Sequence, residues 1–149
     1  MVDSLKQIAI GCDHAGFVVK DYIIKNLGSS GYEFIDFGTF SELSMDYPEI
    51  AHPLAKAVQS GSFEFGILIC GSGNGVAIVA NKYTGIRAAI CWNEEITSLA
   101  RLHNNANIIV LPARFISQDE AVDLVRLFLS TGFEGGRHQR RIDKISNIS

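Results

Sequence analysis

Little in this sequence points to a membrane, a nucleic acid or a disulfide scaffold. No apolar stretch approaches the roughly 20 residues that a membrane-spanning helix needs. The start, MVDSLKQIAIGCDHAG, has no basic segment leading into a long apolar core, so no signal peptide is read there. Acidic and basic side chains nearly balance, at a net charge of −3, which argues against a nucleic-acid backbone as the main partner. There are only three cysteines, Cys12, Cys70 and Cys91, and no two of them form a CxxC pair. Their odd number and scatter fit a reducing cytoplasm better than an oxidised framework. The P-loop pattern GxxxxGK followed by Ser or Thr is absent. So are HExxH and any Cys/His ligand spacing, so no metal is expected.

What is present reads as one compact α/β domain over residues 1–149. A chain of this length buries about 68–70% of its unfolded surface, enough to dispense with staples. Its organising stretch is Phe65–Lys82, FGILICGSGNGVAIVANK. Phe65 to Cys70 is an apolar, β-branched run, the pattern of a strand covered on both faces. It breaks into Gly71-Ser72-Gly73-Asn74-Gly75, and a helix follows from about Val76. A strand, a glycine turn and a helix start together aim backbone N–H groups at an anion. Cys70 and Ser72 flank that turn, which reads either as an active site or as a tight turn beside an inert buried cysteine.

The remaining elements alternate. Strands are expected at Gln7–Ile10, Glu33–Phe37, Arg87–Cys91 and Asn107–Leu111. Val19, Ile23 and Leu27 mark a helix stopped by Gly28, and Pro48 opens another with Ile50, Leu54 and Val58 on one stripe. A helix from about Asn93 carries Ile96, Leu99 and Ala100, and Ser117 to Glu120 is a capping box. Gly132–Gly136 breaks the chain before a basic terminal helix from Arg137. The loop from Gly38 to Tyr47 is long and polar, as functional loops are. Such alternation implies a parallel sheet with helices on both faces and a ligand at the carboxyl ends of the strands. Asp13 and His14 follow the first strand, and Cys70 to Gly75 follow the third.

Several residues carry two readings. Asp13 suits catalysis or an N-cap, and His14 suits a ligand contact or a solvated loop. His103 falls on the apolar stripe of its helix, as a packed histidine would, yet His103-Asn104-Asn105 is a polar patch at a helix end. His52 reads as surface. Arg137 and Arg141, four apart, project from one helix face, as a phosphate clamp or as a solvated basic face. Arg114 is a further cation after the fifth strand. Gly71, Gly73 and Gly75 give GxGxG rather than GxGxxG, so a dinucleotide site has weak support.

Taken together, GCDHAG, DYP, GILICGSGNGVAIVANK, RAAICW, RLHNNANI and EGGRHQRR resemble the type B ribose-5-phosphate isomerase family. The blocks follow that family's order and cover nearly the whole chain. The family also includes enzymes of galactose 6-phosphate and allose 6-phosphate. The resemblance implies a Rossmann-like three-layer α/β/α fold with a five-stranded parallel sheet. It also implies an aldose–ketose isomerase without metal or cofactor, as a homodimer or a dimer of dimers whose sites use both subunits.

By resemblance, Cys70 is the base that moves a proton between C2 and C1. Some relatives use a glutamate directly after the GSGNG turn, but Val76 stands there and takes no proton. Ser72 keeps a hydroxyl where some relatives have threonine. His103 would help open the sugar ring, with Asp13 nearby. Asn104 and the backbone of Gly71, Gly73, Asn74 and Gly75 would hold the enediolate oxygens. His14, Arg114, Arg137 and Arg141 would grip the phosphate, and Tyr47 would line the pocket. A thiol with a free pKa of about 8.5 is a poor base at neutral pH, so this reading needs the turn amides to favour the thiolate. The substrate is a pentose 5-phosphate or a hexose 6-phosphate. The competing class is a non-catalytic phosphosugar- or nucleotide-binding module, against which Cys70 beside Ser72 and the His103-Asn104 patch weigh.

Overall fold

The computed structural model describes residues 5–148. Its strands are β1 (Lys6–Cys12), β2 (Tyr32–Asp36), β3 (Gly66–Cys70), β4 (Ala88–Ile90) and β5 (Ile108–Pro112). The helices are α1 (Phe17–Leu27), α2 (Pro48–Gln59), α3 (Asn74–Ala80), α4 (Glu94–Leu102), α5 (Gln118–Ser130) and α6 (Arg137–Asp143). A single 3₁₀ turn, His14–Gly16, leads into α1. Among the described residues the strands form one sheet in the order β2-β1-β3-β5-β4, parallel throughout. This is the Rossmann-like α/β/α arrangement that the alternating pattern implied.

The central strands β3 and β5 are buried along their whole length, which is why their sequences are continuous apolar runs rather than alternating ones. Period-two geometry then sorts their side chains to opposite faces. Ile67 and Ile69 join Ile8, Ile10, Ile109 and Leu111 under α1 and α5. Leu68 and Cys70 join Ala9, Ile108 and Val110 under α2 and α3. Cys12 and Cys91 belong to the first face and Cys70 to the second.

Two buried cations tie loops to this frame. Lys20 on α1 donates to Asp36 at 2.8 Å and to the Thr39 carbonyl, anchoring the chain that leaves β2. Arg101 on α4 donates to the carbonyls of Thr131 at 3.0 Å and Ala106 at 2.7 Å, with its guanidinium against Phe65 and Phe128. Burial holds its pKa below the usual guanidinium value. Arg101 thereby joins the end of α5 to the approach to β5 and fixes where the following 131–136 segment begins.

The boundaries differ from the sequence reading where a distant partner decides them. β1 runs on through Gly11 to Cys12 because Cys12 N–H finds the Gly38 carbonyl at 2.7 Å. α3 begins at Asn74 rather than near Val76, because Gly73 at φ +82° turns the chain straight into the helix. The capping box before α5 forms as expected, and Asn93 caps α4 through Ile96 N–H. The 37–47 segment carries neither helix nor strand.

Candidate active site

β1 and β3 lie side by side, and the chain leaves them in opposite directions across the sheet, β1 toward β2 and β3 toward β5. A crevice forms at such a reversal, outside the carboxyl ends of the strands. Here it is a cavity of about 280 Å³ lined by Asp13, His14, Ala15, Tyr47, Cys70, Gly71, Ser72, Gly75 and Arg114.

Asp13 is the N-cap its sequence allowed, and it also stands at the cavity wall. Its Oδ1 accepts from Ala15 N–H at 2.9 Å and Gly16 N–H at 3.2 Å, capping the 3₁₀ turn, while the residue lines the cavity. The His14 Nδ1 accepts from Met45 N–H at 3.2 Å, so the proton of a neutral ring sits on Nε2. The same bond ties the 37–47 segment to the turn after β1, and Tyr47 at the end of that segment lines the cavity. A Cβ on Gly75 would lie 2.6 Å from the Tyr47 ring, so glycine is what lets that ring approach the turn.

Cys70 is the last residue of β3, and its Sγ accepts the Gly73 N–H at 3.1 Å. A donor aimed at sulfur stabilises negative charge there. The Ser72 Oγ accepts from Asn74 N–H at 3.2 Å. The N–H groups of Ser72 and Gly75 have no protein acceptor among the described residues, which leaves them for a ligand oxygen. The Arg114 guanidinium lies against Gly71, and Arg114 N–H donates to the Gly71 carbonyl at 3.0 Å. Cys12 and Cys91 stand apart from this chemistry. Both are fully buried, and burial pushes each thiol up to about 11.

The remaining candidates lie elsewhere on the same chain. His103, Asn104 and Arg141 line a second cavity, of about 340 Å³, with His138, Ile142 and Ile145. His103 ends α4 as its C-cap rather than extending the apolar stripe, and its ring stacks on His138 with centroids 4.1 Å apart. Its Nε2 is 3.7 Å from Glu134 Oε2. His138 is buried, and its Nε2 has no hydrogen-bond partner among the described residues. Desolvation, His103 and the Arg137 and Arg141 cations lower its pKa, against the opposing pull of Glu134. Arg137 is exposed at the start of α6. Asp13 and His103, paired by resemblance in ring opening, therefore line different cavities within one chain. His52 is exposed and pairs with Tyr83, as a surface residue.

Glu134 and His138 were missed in the sequence. Their only local signal is the i, i+4 spacing, hidden in a glycine breaker and between two arginines.

The Ribose/Galactose Isomerase family matches residues 8–145 of this chain. The chain belongs to the ribose/galactose isomerase family. The ribose-5-phosphate isomerase B of Escherichia coli K12 is 43% identical over 97% of this chain and 97% of its own length. The crystal structure of a Thermotoga maritima ribose 5-phosphate isomerase superposes with a TM-score of 0.93 at 49% identity, covering 96% of this chain and 99% of that one. The Mycoplasma genitalium ribose-5-phosphate isomerase B, solved with bound ribulose 5-phosphate, gives a TM-score of 0.91 at 41% identity, with 97% of each chain covered. Membership of the ribose/galactose isomerase family extends over both cavities, since residues 8–145 include Asp13 at one and Arg141 at the other.

Proposed function

We propose that this protein is an aldose–ketose isomerase that interconverts ribose 5-phosphate and ribulose 5-phosphate, with Cys70 as its base. The observation that carries the assignment of the base is the position of its sulfur: at the carboxyl end of β3, in a cleft, with the Gly73 N–H directed at it. The reaction moves one proton between two carbons beside a carbonyl. It needs a base near C2 and C1, and donors for the oxygen that gains charge.

In this reading His103, assisted by Asp13, transfers the proton that opens the sugar ring. The Cys70 thiolate takes the proton from C2, leaving a cis-enediolate. The Ser72 and Gly75 N–H groups and the Asn104 side chain stabilise the developing oxyanion, and Cys70 returns the proton to C1. The Ser72 hydroxyl stands ready to pass a proton between O1 and O2. A positioned base contributes about 10²–10⁴-fold and one oxyanion donor roughly 10²–10³. His14, Arg114, Arg137 and Arg141 hold the phosphate, whose binding orients the reacting end.

The two cavities become one site when a second copy of residues 1–149 sets its His103, Asn104, Arg137 and Arg141 against the Cys70 cleft of the first. The surface beside the cleft supports such a homodimer: Trp92 and Phe115 are largely exposed and share an apolar depression with Ile90 and Pro112. A cytoplasmic location fits three unpaired cysteines, and no helix among the described residues is long and apolar enough to cross a membrane.

The test is to incubate the protein with ribose 5-phosphate in D₂O and follow both sugars by NMR. Conversion with deuterium appearing at C1 of ribulose 5-phosphate is expected. Tight binding of the sugar phosphate with neither conversion nor exchange would make the protein a binding module instead.

A further inference from the structure

The second cavity holds a donor set that the isomerase reaction does not use as a unit. One ring nitrogen of His103, one Glu134 oxygen and one ring nitrogen of His138 all lie within 4.8 Å of one another, and no other group of three such side chains among the described residues comes this close. Glu134 turns one carboxylate oxygen to each ring, Oε2 to His103 at 3.7 Å and Oε1 to His138 at 4.0 Å. Both distances are too long for hydrogen bonds. His138 is 95% buried, and its Nε2 has no partner among the described residues, although a buried polar atom normally finds one. An orphaned imidazole nitrogen facing a second imidazole and a carboxylate is the ligand set of a borderline divalent metal ion.

We propose that His103, Glu134 and His138 bind a divalent transition-metal ion of the zinc class, and that its binding inhibits the isomerase by occupying the His103 ring nitrogen. The inhibition rests on the ring-opening role proposed above for His103; the binding does not.

The frame favours the site on one side and leaves it adjustable on the other. Arg101 anchors Thr131, and Glu134 N–H donates to the Leu102 carbonyl at 3.1 Å, so the carboxylate is delivered to the end of α4 where His103 sits. His138 is held by burial. Bonds of about 2.0–2.1 Å in a tetrahedral shell set ligand atoms roughly 3.3 Å apart. The three donors must therefore draw in by about 1.5 Å at most, from the 4.8 Å within which they lie. The stacked rings are tilted by only 12°, and two parallel rings do not aim their in-plane lone pairs at one point, so closure requires His103 to rotate. His103 and Glu134, with side chains 37% and 50% exposed, have the freedom to do it. Three protein ligands leave the fourth position to water. Hard ions such as Mg²⁺ and Ca²⁺ prefer all-oxygen shells and fit poorly. Arg137 and Arg141 oppose a dication here, and the Glu134 carboxylate offsets them in part.

The experiment titrates the full-length protein with Co²⁺ as a spectroscopic probe and then displaces it with Zn²⁺, with isomerase activity measured in parallel. One Co²⁺ per chain is expected, with tetrahedral d–d bands in the visible and no thiolate charge-transfer band in the near ultraviolet. His138→Ala should weaken binding by more than the roughly 10–100-fold typical of losing an outer-shell partner. Glu134→Gln, at an exposed position, should weaken it without disturbing the fold. Cys70→Ser should bind Co²⁺ as the parent does. Zn²⁺ should inhibit the parent, reversibly on chelation, and inhibit Glu134→Gln only at higher concentration. No metal binding by the parent, undiminished binding by Glu134→Gln and His138→Ala, or loss of binding in Cys70→Ser would each overturn the site. Metal binding without inhibition of an active enzyme would overturn the inhibitory role. A protein that binds Co²⁺ but never isomerises ribose 5-phosphate would overturn the proposed function and leave the metal site standing.

Discussion

The Gly73 N–H donates to the sulfur of Cys70 at 3.1 Å, so the turn that follows β3 folds back onto the thiol that ends it. The contact depends on Gly73 at φ +82°, where a side chain would be strained. One glycine thus sets both the direction of α3 and the polarity around Cys70. The base proposed for the reaction is held by main chain rather than by another side chain.

Replacing Cys70 by alanine removes the sulfur and leaves the turn backbone. Isomerase turnover should fall by at least about 10²–10⁴-fold, the share of a positioned base. Ribose 5-phosphate should still bind by calorimetry within a few-fold of the parent. Near-parental turnover would mean that another group takes the proton.

The three thiols should differ sharply in reactivity. Cys12 and Cys91 are fully buried with pKa pushed up to about 11, so at pH 8 roughly one in a thousand of each is ionised. Their thiolate fractions rise tenfold per pH unit until the pH passes that value. Brief treatment of the native protein with iodoacetamide at pH 8 should place one adduct, on Cys70, by mass spectrometry, and ribulose 5-phosphate should slow it. Alkylation of Cys12 in the folded protein would contradict its burial.

Arg137→Ala should act on substrate capture. A charge-assisted hydrogen bond contributes about 1.5–3 kcal/mol, so KM should rise by roughly 10–100-fold with kcat little changed. An unchanged KM would remove Arg137 from the phosphate site.

Gly16→Ala tests the joint that carries Asp13 and His14. A Cβ at Gly16 would sit 2.8 Å from the Ile69 carbonyl oxygen and 2.7 Å from its side chain, on the strand that ends in Cys70. The overpacking should cost about 1–3 kcal/mol. Thermal unfolding should shift down by roughly 2–12 °C for a chain of this size. A melting temperature equal to the parent's would show that the turn can move away from β3 without penalty.

Much of this architecture was legible locally. Phe65 to Cys70 reads as a covered strand because a strand buried on both faces needs apolar residues at every position. The glycine turn is legible because φ > 0 and close approach both select glycine. The capping box at Ser117 and Glu120 is legible because its two hydrogen bonds join residues three apart. Asp13 was ambiguous for a physical reason: its carboxylate caps a turn at a position that also lines the cleft. Of the two readings of His103 the structure shows the polar patch at a helix end, because α4 ends at Leu102, one residue before it.

By itself the sequence determined the alternation of strands and helices, the turn after Cys70 and the family to which the residues belong. These follow from side-chain period and from backbone chemistry within a few residues. Only the tertiary structure decided that β1 pairs with β3, bringing Asp13 and His14 beside Cys70, and that His103 and Arg141 open on a different cavity. The meeting of His103 with Glu134 and His138 was likewise invisible along the chain. It depends on Arg101 and α5 returning the 131–136 segment to the end of α4, and no local propensity encodes such a return.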